Sequence, residues 1–309
     1  MYRYGSFSYS LDKIKISGRI LSPKPKLYGL HLHNIGQWIR HKSSVCQKTY
    51  EIREDSVSFS PFKYRYAYAI KLRSDSEGIC YFAEYYNGDY KDSRSIENKF
   101  IVEFNPNKSG MLIFKDFLSR FNVVFDEIKS FDIAYDIVGY SPNDVLLDTS
   151  ADIMTYGKKG NQTLYISPSS ESIGRVKVYS KDKERKNKNV EMEKTLRIEA
   201  TFKKCGLACK SILYDKSFMD ICNSVCLHLN QVKIKENTIS SDDWKLYALS
   251  CLTPEQLQKC YSIMSSATAS KYRKSIEETS YFSLDITPFT LIEHIYNILS
   301  PYMERLKIK

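Results

Sequence analysis

Three short segments of this sequence carry acidic, basic and phenolic side chains at every second position. The segments are 131–137, 175–181 and 195–200. A β-strand sends alternate side chains to opposite faces, so each segment would gather its polar side chains on one face if it forms a strand. The side chains gathered in this way are Asp132 and Asp136, then Lys177, Tyr179 and Lys181, and finally Arg197 and Glu199.

These residue types together suit metal-assisted chemistry on a phosphodiester. Carboxylates such as those of Asp132 and Glu199 bind hard divalent ions, and a bound ion polarises a phosphoryl oxygen. A tyrosine hydroxyl can attack phosphorus and form a covalent intermediate. The alternative is structural, because charged residues that alternate along a strand commonly form the solvated face of a half-buried sheet.

The composition predicts a globular protein with a polyanionic partner. The chain has 309 residues and a formal net charge of +10, which is typical of proteins that bind nucleic acid. Its 24 Tyr and 15 Phe residues suit stacking on unpaired bases, and they equally suit packing within strands. The length allows one large domain or two ordinary ones.

Targeting and nucleotide-binding signals are absent from the sequence. It shows no signal peptide and no run of 18 apolar residues, so we expect a cytoplasmic protein with reduced thiols and no membrane contact. It also has no glycine-rich phosphate loop of the Walker type. ATP hydrolysis by this chain is therefore not expected.

The pattern along the chain predicts an α+β fold with an antiparallel sheet core and helices packed on it. Residues 1–205 are interpreted as strands and loops, with one amphipathic helix over 110–128, and are predicted to form the catalytic domain. Residues 206–309 are predicted to be a helical region that recognises DNA or mediates dimerisation. No internal repeat is visible in the sequence.

Five segments in one order resemble the replication-initiation proteins of rolling-circle plasmids and filamentous phages. They are similar above all to the Rep_trans or replication initiation factor group, which is related to the relaxases of mobile elements. The resemblance covers about residues 95–205, and Ser167 and Ser180 stand where that group usually has glycine and an acidic residue. The segments are Phe104-Asn105-Pro106-Asn107-Lys108, Asp132-Ile133-Ala134-Tyr135-Asp136, Leu164-Tyr165-Ile166-Ser167, Val178-Tyr179-Ser180-Lys181 and Arg197-Ile198-Glu199.

The resemblance implies a nickase with an architecture like that of the HUH enzymes, which starts rolling-circle replication or transfer of a plasmid or phage-like element. Such enzymes cut one strand at an origin hairpin through a tyrosine, remain joined to the 5′ phosphate, and leave a 3′ hydroxyl. Mg²⁺ or Mn²⁺ assists the reaction. A host helicase and polymerase are the implied partners, and the protein could act as a homodimer.

By motif position, the resemblance also assigns residue roles. Tyr179 would be the nucleophile, and Lys181 would contact the scissile phosphate or lower the pKa of the tyrosine. Arg197 would neutralise phosphate charge with its bidentate fork. The metal or acid–base carboxylates would be those of Asp132, Asp136 and Glu199.

Two alternatives to this assignment remain open at the level of sequence. Related nickases often bind the metal with a His-hydrophobe-His pair, and here His31 and His33 would share a strand face, with Tyr156 as the nucleophile. The chain could also be a non-enzymatic protein that recognises an origin or a repressor site.

Two further residues are candidates for smaller roles. Glu103 shares a predicted strand face with Asn105 and could extend the carboxylate cluster. Trp38 lies in a basic amino-terminal region, where its indole could stack on a base.

Overall fold

The structure is a computed structural model of the chain. Described residues are 7–23, 37–39, 41, 50–54, 64–74, 78–85, 98–147, 153–157, 162–166, 175–182, 193–203, 207–208, 216–235, 245, 249, 252, 254–277 and 281–303.

Among the described residues, the amino-terminal part of the chain forms five strands, helical residues at 37–39 and 41, and one longer helix before the chain re-enters the sheet. The elements are β1 (Phe7–Pro23), β2 (Tyr50–Glu54), β3 (Tyr64–Leu72), β4 (Ile79–Tyr85), β5 (Asn98–Phe104), α1 (Gly110–Arg120) and β6 (Phe121–Val138).

The remainder adds further strands and four helices within the described residues. The elements are a 3₁₀ turn (Pro142–Asp144), β7 (Val145–Leu147), β8 (Ile153–Tyr156), β9 (Thr163–Ile166), β10 (Arg175–Ser180), β11 (Thr195–Phe202), β12 (Leu207–Ala208), α2 (Lys216–Asn230), β13 (Val232–Lys235), α3 (Pro254–Ser262), α4 (Ser266–Glu277), β14 (Tyr281–Phe282) and α5 (Pro288–Met303).

Eleven strands form one antiparallel sheet, so the predicted α+β fold with an antiparallel core is confirmed. Its strand order is β2-β3-β4-β5-β1-β6-β11-β10-β9-β8, with β12 attached to β6, and a second sheet has the order β14-β13-β7. The long strands β1 and β6 pair with each other at the centre.

The large sheet consists of two halves with the same topology. In the first half (β1–β5 and α1), a long strand is followed by four strands that add inward from the edge, and then by a helix. In the second half (β6, β8–β11 and α2), the same order recurs. The sequence showed no repeat, so this duplication is visible only in the strand order.

The helix of the first half packs on one face of the sheet through an aromatic cluster. The ring of Phe117 lies 5.0 Å from that of Phe82 and 5.2 Å from that of Phe100, while Phe104 stacks on Phe114 at 4.5 Å. All five rings are buried. Burial of each is worth roughly 1.5–3 kcal/mol, which fixes α1 against the sheet.

The second half covers the same face with α2 and α5. Phe202 of β11 lies 6.2 Å from Phe218 of α2. Tyr135 of β6 places its hydroxyl 3.2 Å from Nδ1 of His294 on α5, and the His294 ring stacks at 3.9 Å on Tyr9 of β1. The region after residue 205 therefore contributes helices to the same core as the sheet.

The predicted helix over 110–128 is too long. The helix ends at Arg120, and β6 begins at Phe121. The cause is a buried side chain at every third or fourth residue of early β6, which imitates a helical period. Register shifts in the β1–β6 pairing produce this spacing, because each bulge adds one residue to a strand.

Gly18 marks one of these shifts. A Cβ at this position would lie 2.5 Å from the carbonyl oxygen of Val124, so only glycine allows the close approach of the two strands.

Trp38 is not available to stack on a base. Its ring is 1% exposed and packs edge-on against Phe82 at 5.2 Å and Phe117 at 5.5 Å. Because Trp38 lies in a basic region of the sequence, its position in the core was not expected. None of the helices in the described ranges is long and apolar enough to cross a membrane.

Candidate active site on the second half of the sheet

The pairing of β6, β11 and β10 brings the three alternating segments side by side. Glu199 of β11 lies between Ala134 of β6 and Lys177 of β10, and Arg197 lies between Asp136 and Tyr179. Paired residues of an antiparallel sheet share a face. These polar side chains therefore project from the face opposite the one that Tyr135 and Phe202 bury under α5 and α2.

Tyr179 is hydrogen-bonded to a buried carboxylate. Its hydroxyl donates to Oε2 of Glu199 at 3.0 Å, while the ammonium of Lys177 pairs with Oε1 of the same carboxylate. Glu199 is only 1% exposed. The Lys177 ammonium also lies 5.7 Å from the centre of the Tyr179 ring. A proton acceptor and a cation thus flank the phenol.

Asp132 is electrostatically linked to Glu199 across the β6–β11 pair. Burial and the negative charge of Glu199 raise the pKa of Asp132 to about 7, although Lys177 and Lys13 act in the opposite direction. Two carboxylates that repel each other in a buried site favour binding of a proton or a cation. This pair is where the site can take up positive charge.

Arg197 holds two carboxylates from different strands. Its Nε donates to Oδ1 of Asp136 at 2.7 Å and its Nη2 to Oδ2 at 2.9 Å, which is a bidentate pair. Its Nη1 donates to Oδ1 of Asp12 on β1 at 2.9 Å. The Lys181 ammonium also bonds Oδ2 of Asp136.

These contacts fix the charges of both partners. Burial alone would raise the pKa of Asp136, but the hydrogen bonds from Arg197 and Lys181 hold it below its usual range. The pKa of Arg197 is raised, since its bond to Asp136 and the charge of Asp12 outweigh burial. Asp136 is therefore an ionised partner of two cations and has little capacity left for a metal.

The donor set of the site fits a divalent cation in part. Within the described ranges, no group of three or more His, Cys, Asp or Glu side chains is arranged to hold a metal. The coupled carboxylates of Asp132 and Glu199 are a suitable oxygen pair for a hard cation that keeps several waters. Of the three predicted ligands, Asp136 is held by two cations, whereas Glu199 pairs with Lys177 alone and is coupled to Asp132.

The first half also carries a buried glutamate, Glu103 on β5, with different neighbours. Its carboxylate pairs with the ammonium groups of Lys13 and, at 2.8 Å, Lys15. These lysines hold the pKa of Glu103 below its usual range, against the effect of burial. Glu103 is thus paired with lysines rather than coupled to a second carboxylate.

Two residues of β1 belong to the site but were missed from the sequence. Asp12 accepts a hydrogen bond from Arg197, and Lys13 lies opposite Asp132 in the β1–β6 register. The run Leu11-Asp12-Lys13-Ile14-Lys15-Ile16 mixes charged and apolar residues much as the three chosen segments do. That pattern is the signal that could have identified them, although it does not reveal the strand pairing.

The alternative residues lie elsewhere. Tyr156 ends β8 at the outer edge of the sheet, is 56% exposed, and packs edge-on to Tyr165 at 5.3 Å. Strand β9 separates it from β10, so it does not join the Tyr179 cluster. His31 and His33 lie outside the described residues.

Comparisons with known proteins give a structural similarity but no family. No protein-family model matches this chain, and no curated protein matches it. Among solved structures, the chain is similar to the rolling circle replication initiator protein from Geobacillus stearothermophilus, with 11% sequence identity and a TM-score of 0.35. The match covers 78% of this chain and 91% of that chain.

Proposed function

We propose that this chain is a DNA-nicking and strand-joining transesterase that starts rolling-circle replication or transfer of a plasmid or phage-like element. The observation that carries the proposal is the hydrogen bond from Tyr179 to the buried Glu199, beside Asp132. A phenol bonded to a proton acceptor and flanked by a cation is the arrangement of an activated oxygen nucleophile.

The proposed reaction is an in-line displacement at phosphorus. Glu199 accepts the proton of the Tyr179 hydroxyl as the phenol oxygen attacks the scissile phosphate. A bond forms between Tyr179 and phosphorus, the bond from phosphorus to the 3′ oxygen breaks, and that oxygen takes up a proton to leave a 3′ hydroxyl. Because the phosphodiester energy is retained in the protein–DNA bond, the reverse reaction joins strands without ATP.

Three cations would balance the charge of the phosphate. Lys177 is the most exposed of them and lies next to the Tyr179 ring, so we assign it a direct phosphate contact. Lys181 exchanges its bond to Asp136 for a phosphate oxygen. Arg197 is only 7% exposed, so its role is indirect: it holds the carboxylates of Asp136 and Asp12 in position.

Mg²⁺ or Mn²⁺ is the proposed cofactor, and Asp132 and Glu199 are the residues that would hold it. When bound, the ion would neutralise and polarise the phosphate. Its presence would also favour the ionised form of Asp132, whose pKa is raised to about 7 without it.

The carboxy-terminal helices are proposed to grip the DNA outside the nick. Helices α3 and α4 are joined by three residues, and Ser265 donates its hydroxyl to Thr268 at the start of α4. Exposed cations on the pair suit contacts with the phosphate backbone. They are Lys259, Lys271, Arg273 and Lys274.

Other partners follow from the same proposal. The DNA substrate would be an origin hairpin, single-stranded at the nick. A host helicase would separate the strands and a host polymerase would extend the 3′ end, both in the cytoplasm. A homodimer would supply two nucleophiles.

A nicking assay with paired tyrosine variants tests the proposal. The wild type, Tyr179→Phe and Tyr156→Phe are incubated with Mn²⁺ and labelled single-stranded and supercoiled DNA from the element that encodes the chain, and the products are separated on denaturing gels. We expect a covalent adduct that is absent only for Tyr179→Phe. Tyr156→Phe is the matched control, because it removes the same hydroxyl from the outer edge of the same sheet.

The other outcomes have defined meanings. An adduct that persists in Tyr179→Phe and disappears in Tyr156→Phe transfers the nucleophile to Tyr156. Tight DNA binding with neither nick nor adduct identifies a non-enzymatic origin or repressor-site binder instead.

A further inference from the structure

A polar cleft opens on the first half of the sheet, beside the candidate active site. Its volume is about 300 Å³, which is at the small end of ligand pockets. Its lining includes Asp12, Lys13, Tyr81, Glu103, Asn105 and Lys108. The nicking chemistry uses none of Tyr81, Asn105 and Lys108.

The cleft is connected to the candidate active site through one carboxylate. Oδ1 of Asp12 accepts Nη1 of Arg197 from one side at 2.9 Å and Nδ2 of Asn105 from the other at 3.1 Å. Strand β1, which carries Asp12, is three strands from β10. At about 4.8 Å per strand, the cleft begins about 14 Å from Tyr179, within reach of a strand held at the nick.

The wall of the cleft is held in place by hydrogen bonds. Oδ1 of Asn105 accepts the backbone amide of Asn107 at 2.8 Å, and Nδ2 of Asn107 donates to the carbonyl of Leu11 at 2.6 Å. The turn after β5 is thereby tied to β1. A wall fixed in this way is suited to bind a ligand with little ordering cost.

The chemistry of the lining matches one nucleotide. Tyr81 is partly buried and packs against the small cluster of Ala83 and Ile101, so its ring is supported from behind. A supported aromatic ring is a stacking platform for a base. Lys108 supplies positive charge for the phosphate, since Lys13 is already paired with Glu103, and α1 begins two residues after Lys108, which adds the favourable end of a helix dipole. Beyond its bonds to Asp12 and Asn107, the Asn105 amide has a second N–H and a second lone pair for the edge of a base.

We propose that this cleft binds one unpaired nucleotide of the DNA strand that runs to the scissile phosphate. Tyr81 stacks on the base and Lys108 contacts the phosphate. The first half of the sheet thereby holds the strand in register while the second half cuts it. This inference rests on the proposed function for the identity of the strand, but not for the fact of binding.

Binding and cross-linking test the inference without any cleavage. Fluorescence anisotropy measures the affinity of a labelled (dT)12 oligonucleotide for the full chain and for Tyr81→Ala, Tyr81→Phe and Tyr156→Ala. We expect Tyr81→Ala to bind about 10-fold more weakly, because loss of base stacking has effects of this size. Tyr81→Phe keeps the ring and should bind like the wild type, as should Tyr156→Ala.

Two further readouts separate a base-binding cleft from a structural role. An oligonucleotide with 5-iodouracil should cross-link under ultraviolet light to the peptide that contains Tyr81 in the wild type. Lys108→Gln should lower the slope of log affinity against log salt by about 0.7, which corresponds to one phosphate contact on a single strand.

The inference is overturned if Tyr81→Ala binds like the wild type, or if Tyr81→Phe is as weak as Tyr81→Ala, since the ring would then have no stacking role. An unchanged salt slope in Lys108→Gln removes the phosphate contact. A chain that depends on Tyr81 for binding but never nicks keeps this cleft and loses the nickase. A chain that nicks DNA but does not depend on Tyr81 for binding keeps the nickase and loses this cleft.

Discussion

Each half of the sheet places a buried glutamate on the strand next to its long central strand and surrounds it differently. In the first half, Glu103 pairs with Lys13 and Lys15. In the second half, Glu199 faces Asp132 and accepts the hydroxyl of Tyr179. The first carboxylate is neutralised by two cations, whereas the second pairs with one cation, Lys177, and shares its site with another carboxylate.

The neighbouring position shows the same contrast. Two residues before Glu103, Ile101 lies between Ser17 and Ala83, so none of these three side chains is charged. Two residues before Glu199 lies Arg197, bound to Asp136. The two halves therefore share one topology but differ in their arrangement of charged side chains, and a few alternate positions on the strands make the difference.

The largest expected effect comes from the same substitution in the two halves. Glu199→Gln should lower the rate of adduct formation at saturating DNA by about 10²–10⁴-fold, because it removes the proton acceptor of Tyr179. Glu103→Gln should change this rate less than about threefold and act on the DNA concentration needed for half-maximal rate. The measurement is single-turnover kinetics over a range of DNA concentrations. Equal losses of rate in the two variants would remove the functional difference between the halves.

Replacing the Arg197–Asp136 pair by the residues of the Ile101–Ser17 pair tests how much the charged pair contributes to the free energy of unfolding. Arg197→Ile should lower the free energy of unfolding by about 3–5 kcal/mol, since Asp136 and Asp12 lose a buried partner. Adding Asp136→Ser copies the Ile101–Ser17 arrangement and should restore part of that loss while activity stays absent. Urea denaturation measures both variants. A double variant less stable than Arg197→Ile would show that the pair is not needed for charge balance.

The raised pKa of Asp132 predicts a pH dependence of stability. Because its folded pKa of about 7 lies above the value of about 3.9 for an unfolded aspartate, the folded state holds a proton that the unfolded state has lost. The stability from this group is complete below about pH 4 and disappears as the pH rises through about 7. The free energy of unfolding of Asp132→Asn, relative to that of the wild type, should therefore rise by about 2–4 kcal/mol from pH 4 to pH 8.

Chemical denaturation at several pH values measures this difference, and Mn²⁺ provides a second arm. At pH 8, Mn²⁺ should raise the melting temperature of the wild type more than that of Asp132→Asn, because a bound ion stabilises the folded state. Parallel stability curves for the two proteins would contradict the coupling of Asp132 and Glu199.

The smallest effect is expected in the first half. Lys13 is 48% exposed in its pair with Glu103, and Lys15 remains when it is removed. Lys13→Gln should therefore cost less than about 1 kcal/mol at pH 7. The pKa of Glu103 lies below its usual range, so its contribution is present at neutral pH and declines on acidification. The difference in melting temperature between Lys13→Gln and the wild type should accordingly be smaller at pH 4 than at pH 7. A larger loss at the lower pH would contradict this pairing.

The sequence was a good guide where structure is local. The alternation over 175–180 appears as alternating burial along β10, and α5 begins at Pro288, directly after Thr287, which caps it through the amide of Thr290. A period of two or a helix-start signal is encoded within a few residues, so one sequence suffices to recognise it.

The sequence was a poor guide where structure depends on distant partners. The contact of Asp12 with Arg197 spans 185 residues, and no local pattern specifies it. The bulges that give early β6 its spacing of three arise from its pairing with β1. The duplication of the sheet is likewise a property of strand order. These features depend on register, which a single sequence does not reveal.

The most direct test of the central claim is to find the residue that carries the DNA. The wild type is incubated with Mn²⁺ and a single-stranded oligonucleotide from the origin of its element, the adduct is digested with nuclease and protease, and the peptides are sequenced by mass spectrometry. A residual nucleotide on Tyr179 is the predicted result. A nucleotide on Tyr156, or no modified peptide from a protein that binds the same oligonucleotide, would contradict the assignment of the second half as the catalytic half.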